Sequence, residues 1–158
     1  MNKVVLVLMI AVFFTACGGA NSSKELERTD IINSYTNGQT QLERDFKVVE
    51  GKRKAVYERE YYEDGNLLKE GPLSVNEKRD GLWKSYYRDG VTWSEGDYAD
   101  GIREGKTITY FANGKKYYEG QFVRAQKTGV WKFYNEQGEF VNETIYDPKN
   151  NAAITVDK

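Results

Sequence analysis

The sequence predicts an all-β fold, an elongated and twisted antiparallel sheet built from tandem β-hairpins. Three observations predict it. Gly81, Gly105 and Gly129 recur every 24 residues, and Gly90, Gly114 and Gly138 recur at the same spacing, a fixed period of the length that marks repeat architectures. Within the repeat, aromatic-rich runs end in Glu-Asp-Gly, Arg-Asp-Gly or Ala-Asn-Gly, which is a hairpin signal because such residues tolerate the positive φ of tight turns. A single hairpin of this size is marginal in water, so the units must stack side by side to share a hydrophobic surface.

Residues 1–16 read as a cleaved secretory signal. Lys3 supplies the charged start, residues 4–14 the apolar run, and Thr15 and Ala16 the small residues before the cut. Eleven apolar residues are too few to cross roughly 30 Å of hydrocarbon as a helix. Phe14-Thr15-Ala16-Cys17 resembles the lipobox of bacterial lipoproteins, with Phe14 where Leu is commoner. That resemblance implies that Cys17, the only cysteine, becomes a new amino terminus bearing acyl chains such as palmitate. At about 0.8 kcal/mol per buried CH₂ such chains anchor a protein firmly to a membrane. The chain is therefore expected in the cell envelope. Gly18 stands where an Asp directs retention in the inner membrane, which favours the outer one. Residues 17–33 are rich in Gly, Ser, Asn and charge and read as a flexible tether reaching roughly 20 Å, with a short capped helix over 23–32 as the alternative.

Residues 34–146 carry the repeats. Tyr86, Tyr110 and Tyr134 each follow the unit's first glycine by five residues. Earlier, degenerate units end at Gly65 and Gly38, which makes about five in all. Five residues after each turn glycine stands an acid, at Glu43, Glu70, Glu95, Glu119 and Glu143. Registered charges of this kind read as a solvated face or as cross-strand partners for Lys and Arg. Alternation places Trp83, Ser85 and Tyr87 on one face and Leu82, Lys84 and Tyr86 on the other. Additional glycines, as in Gly-Asp-Tyr-Ala-Asp-Gly and Gly-Gln-Phe-Val-Arg, either close the next turn or let a neighbouring ring pack on bare backbone. Residues 147–158 leave the pattern as a frayed tail or an end cap.

The pattern Gly-x-Trp-x-x-Tyr followed by Asp/Asn-Gly and Glu-Gly, strongest from Glu58 onward, resembles the MORN-variant repeat family, whose hairpins tile into a long sheet. Its bacterial members include YwqK-like antitoxins, which neutralise a toxin by binding it, and the resemblance implies no catalytic residues. Eukaryotic MORN arrays are linked to scaffolding and phospholipid binding. With an export signal present, the antitoxin function it implies is that of an immunity protein meeting its toxin in the periplasm or at the cell surface.

Composition narrows the function. Lys and Arg number 23 against 24 Asp and Glu, so no global field draws nucleic acid, and a nucleic-acid partner is not expected. There is no His, which removes the commonest general base and metal ligand. No nucleophile, base and orienting group assemble at a specific spacing, so the expectation is a binding protein rather than an enzyme, with no cofactor or metal. The expected surface comprises Trp83, Tyr87, Trp93, Tyr110, Tyr118, Trp131 and Tyr134, and the expected partners are the membrane through lipidated Cys17 and a protein of unknown identity. The alternative is a glycan or small ligand held by exposed repeat aromatics. Rings buried between hairpins favour the protein partner, and a row of exposed rings favours the ligand.

Overall fold

The computed structural model describes residues 28–147, 149 and 152–154; the signal segment 1–16 and Cys17 lie outside them. The described chain forms one sheet of eleven strands in which every strand pairs with its sequence neighbours, antiparallel throughout. The strands are β1 (Arg28–Ser34), β2 (Thr40–Val49), β3 (Lys52–Tyr61), β4 (Leu67–Pro72), β5 (Gly81–Tyr86), β6 (Thr92–Ala99), β7 (Ile102–Tyr110), β8 (Lys116–Val123), β9 (Gln126–Tyr134), β10 (Phe140–Tyr146) and β11 (Ala153–Ile154). The all-β meander of tandem hairpins is what the repeat period predicts.

The amino-terminal boundary differs from expectation, and at the other end the described residues take the end-cap alternative. The tether was expected to run through residue 33, but Arg28–Ser34 is a strand, which also rules out helix over 28–32. Its polar composition hides it, because an edge strand needs partners more than apolar alternation. Thr29 donates to Asp45 at 2.7 Å and Arg53 pairs with Asp30 at 2.8 Å. At the other end Ile145 and Tyr146 pair with Ile154 and Ala153, so the chain folds back onto the last long strand and shortens an exposed edge.

The turn glycines close the five hairpins β1–β2, β3–β4, β5–β6, β7–β8 and β9–β10. At Tyr87–Val91 the Gly90 N–H donates to the Tyr87 carbonyl at 2.9 Å and Tyr87 N–H to the Val91 carbonyl at 2.8 Å, the three-residue loop in which a type I turn ends in a left-handed residue. Gly90 alone takes the positive φ, at 87°. Asp89 instead accepts the Val91 N–H at 3.1 Å, as Asp64 and Asn113 do for Asn66 and Lys115. The acidic or amide residue is therefore present for its side-chain acceptor and not for a positive φ. At the opposite ends, β2–β3, β6–β7 and β8–β9 turn through Glu50-Gly51, Asp100-Gly101 and Arg124-Ala125, with both residues of each pair at positive φ.

A single sheet has no second layer, so its core is made within one face by rings lying over bare backbone. The buried apolar side chains among the described residues are Ala55, Trp83 and Trp131. A Cβ built on Gly71 would stand 2.5 Å from the Trp83 ring, and one on Gly120 would stand 2.3 Å from Trp131. Of the two roles open to the additional glycines, Gly101 closes a turn and Gly120 lies beneath a ring. Between these two stacks Thr107 occupies the tryptophan position opposite Gly96, and there the contact is an ordinary 3.5 Å to Oγ1.

Candidate functional site

Cross-strand register sorts the side chains into two faces with different chemistry. One carries a row that crosses the sheet from β2 to β10, in the order Glu43, Arg59, Glu70, Lys84, Glu95, Ile108, Glu119, Lys132, Glu143. Acid and base alternate, as cross-strand stabilisation requires, except at Ile108. The recurrent glutamates thus face cations across the strands, and they also accept phenols. Tyr61, Tyr86, Tyr110 and Tyr134 donate to Glu43, Glu70, Glu95 and Glu119 at 2.6, 2.8, 2.8 and 2.6 Å. Burial, and then the hydrogen bond to the neighbouring carboxylate, pushes Tyr61 and Tyr110 up to about 12. Glu119 is held below its usual range by Lys116 first and Tyr134 second.

The reverse face carries the tryptophans and a second periodic series. Arg79, Arg103 and Lys127 recur every 24 residues, as do Tyr98, Phe122 and Tyr146. The structure interleaves them. The Arg79 guanidinium lies 4.3 Å from the Trp83 ring centre and 5.5 Å from that of Tyr98. Arg103 lies 5.8 Å from Tyr98 and 5.1 Å from Phe122, and Lys127 lies 4.5 Å from Trp131 and 5.0 Å from Tyr146. These distances fall in the range of attraction between a cation and a ring face.

Arg79 Nη1 at 3.5 Å and Arg103 Nε at 3.1 Å both donate to the Tyr98 hydroxyl. Burial alone would raise the Tyr98 pKa, but the two guanidiniums outweigh it and hold the phenol below its ordinary value. Beside them opens a cavity of about 210 Å³ whose lining includes Arg79, Trp83, Trp93, Gly96, Tyr98 and Arg103. A shallower recess of about 460 Å³ opens around Ile108, Val130, Lys106, Lys116, Glu119 and Lys132.

The expected surface residues do not form one patch. Trp83 and Trp131, 4% and 1% exposed, are core. Tyr118 packs 5.6 Å from Trp131. Tyr110 and Tyr134 belong to the glutamate row, and Tyr87 ties one hairpin to the next by donating to the Tyr110 carbonyl at 2.8 Å. Trp93, 47% exposed, is the one that offers a largely open ring, and it borders the 210 Å³ cavity. Cys17 lies outside the described residues. Sequence reasoning passed over Arg79, Arg103, Lys127 and Tyr98, although their period of 24 was open to the same search that found the glycines. Among the described residues no group of three His, Cys, Asp or Glu is placed to hold a metal ion.

Three segments of the chain, residues 56–73, 79–100 and 103–124, match the family model of the MORN repeat variant. They fall on successive parts of the sheet between β3 and β8 and take in the cavity and the arginine pair. No curated protein and no solved structure gives a match to the chain.

Proposed function

Starting from an array of MORN-variant repeats, we propose that this chain is an envelope-anchored lipoprotein whose repeat sheet docks a protein partner and carries out no catalysis of its own. The observation that carries the docking half is the behaviour of the unit that begins at β7. There Thr107 stands in the tryptophan position and Ile108 in the cation position of the glutamate row. Recesses lined by both residues open there; Leu82 and Val130 on their walls are exposed, as is Trp93 beside the neighbouring 210 Å³ cavity. Apolar residues left open where the framework is relaxed are the composition of an interface centre. Most of the repeat rings are spent inside the sheet, which favours a protein over a ligand stacked along a row of aromatics.

The anchor half rests on the sequence alone, through Cys17 and the apolar run before it, with Gly18 favouring the outer membrane. The antitoxin resemblance supplies one form of partner, a toxin met outside the cytoplasm. A small ligand or glycan is the second reading, favoured by the 460 Å³ recess, which lies within the roughly 300–1,000 Å³ of small-molecule sites. The test is a pull-down of tagged full-length protein from detergent-solubilised cells beside a Cys17→Ser variant, with mass spectrometry of bound proteins and of the amino-terminal peptide. A lipidated Cys17 and one stoichiometric protein are expected. An unmodified, uncleaved terminus overturns the anchor, and bound glycan without protein overturns the partner class.

A further inference from the structure

Arginines on this sheet are of two kinds. Arg28, Arg44, Arg53, Arg59 and Arg88 each have a carboxylate within 4.0 Å. Among the described residues, Arg79, Arg103 and Arg124 have none; Arg124 lies in the β8–β9 turn, whereas the side chains of Arg79 and Arg103 both donate to a single neutral acceptor, the Tyr98 hydroxyl. A guanidinium carries five N–H donors, so nearly all of theirs are unspent. Both are held in place by rings on the sheet itself: Trp83 and Tyr98 beneath Arg79, Tyr98 and Phe122 beneath Arg103. A charged side chain fixed by stacking has already lost much of its rotamer freedom, which lowers the cost of binding.

We infer that the cavity between Arg79, Arg103, Trp83, Trp93 and Tyr98 receives one acidic side chain of the docked protein, its carboxylate forked by the two guanidiniums and its methylene stem laid on the open Trp93 ring. The inference rests on the docking reading and gives that partner its chemistry. Planar guanidinium donors match a carboxylate in bidentate geometry. At about 210 Å³ the cavity is below the roughly 300–1,000 Å³ of small-molecule sites, so it is sized for a side chain and not for a nucleotide or a sugar. Trp, Tyr and Arg are also the residue types that concentrate binding energy at protein interfaces. Of the other charged residues in the lining, Lys69 is already paired with Glu60 at 2.5 Å and Glu95 accepts the Tyr110 hydroxyl at 2.8 Å, which leaves the arginine pair, two charges against the one of Glu95, as the source of attraction.

The test uses the full chain in detergent and an acetylated peptide with one Glu between apolar residues, beside its Gln twin, followed through the indole N–H resonances of Trp83 and Trp93. Saturating shifts with the Glu peptide are expected, at least tenfold weaker with the Gln twin and with the Arg79→Gln/Arg103→Gln protein. The Arg79→Lys/Arg103→Lys protein keeps a charge over each ring and controls for folding; it is expected to fold and to bind the Glu peptide more weakly than wild type. Equal shifts from the Glu and Gln peptides overturn the inference, as does stronger arginine-dependent binding to vesicles of anionic phospholipid. If a partner is captured by wild type and retained undiminished by the folded Arg→Gln protein, this inference fails while the docking reading stands. If neither protein retains a partner, the docking reading fails.

Discussion

Gly120 and Gly96 occupy equivalent positions on β8 and β6, yet alanine should be ruinous at one and harmless at the other. A Cβ on Gly120 would stand 2.3, 2.4 and 2.7 Å from three atoms of the Trp131 ring, where ordinary contact begins at 3.4 Å. The ring must therefore retreat by about 1 Å, and it is boxed in by Phe122 at 5.2 Å, Tyr118 at 5.6 Å and Tyr146 at 5.9 Å. Forced overpacking of this kind costs about 1–3 kcal/mol. Expelling the ring instead forfeits about 150–250 Å² of burial, or about 4–6 kcal/mol at about 25 cal/mol per Å². Gly120→Ala is expected to fall between these, at about 2–4 kcal/mol, a large share of the roughly 5–15 kcal/mol that holds a domain together. On Gly96 the same Cβ meets Thr107 Oγ1 at 3.5 Å, so Gly96→Ala should stay within about 0.5 kcal/mol of wild type, with reduced chain entropy in the unfolded state on its side. Urea midpoints followed by circular dichroism and by tryptophan fluorescence measure both variants. Equal losses at the two sites, or a loss below about 0.5 kcal/mol at Gly120, would refute the claim that the core is made of rings seated on glycines.

Arg59 donates to Asp45 at 3.1 and 3.0 Å and lies within 3.7 Å of Glu70. Arg59→Met should cost about 2–4 kcal/mol, below the fully buried case because the guanidinium is partly exposed, as a urea midpoint will show. Burial would raise the Asp45 pKa, but Arg59 and Thr29 overcome it and the group sits below 3.8. Its stabilising share is thus present above that ordinary value and lost as pH falls through the lower folded one; stability measured down this window should fall less steeply in Asp45→Asn. The raised phenols work in the opposite sense. Tyr61 and Tyr110, at about 12 folded against 10.0 ordinarily, contribute stability that is full below 10 and is lost as pH climbs through about 12. Tyrosinate absorbance should lag a free-tyrosine curve, and Glu95→Gln should bring Tyr110 back toward it. Ala125 takes φ 63° where Gly51 and Gly101 stand in the corresponding turns, so Ala125→Gly should stabilise by about 0.5–1 kcal/mol, read as a rise in Tm. Ile108→Lys closes the gap between Glu95 and Glu119 and should add roughly 0.2–1 kcal/mol for each new pair, while filling the recess and weakening partner capture; a loss of stability would count against the charge row as framework.

Legibility in the sequence followed the repeat. Wherever a residue performs the same task in each unit, as the turn glycines and the glutamates do, its period of about 24 announced both the element and the role. The row of Glu43, Glu70, Glu95, Glu119 and Glu143 was readable as cross-strand partners, though not as acceptors of the tyrosine hydroxyls, because hydroxyl direction depends on which face a bulge leaves a ring. The strand Arg28–Ser34 was unreadable because its pairing depends on Asp45 and Arg53, far along the chain. The aromatic surface was misjudged for a related reason. Trp83 and Trp93 look equivalent as exposed-strand aromatics, and only the glycine on the neighbouring strand decides that the first is swallowed and the second is left open.

The same logic locates where this array departs from a purely structural repeat. A tryptophan over a glycine and a cation between two glutamates are the two devices that hold a one-layer sheet together, and both lapse at adjacent residues, Thr107 and Ile108. Loss of one device would read as drift. Loss of both at one place, with recesses open beside them and apolar side chains exposed on the recess walls, gives up stability that neighbouring units retain. Natural sheets give up stability in this way where a surface has another use. Arg79 and Arg103 fit that account. They keep the repeat's period and its stacking on rings, but lack the carboxylates that the arginines of the first hairpins possess. On the docking proposal, this unneutralised pair of charges beside a cavity is the part of the surface whose complement would be supplied by another molecule.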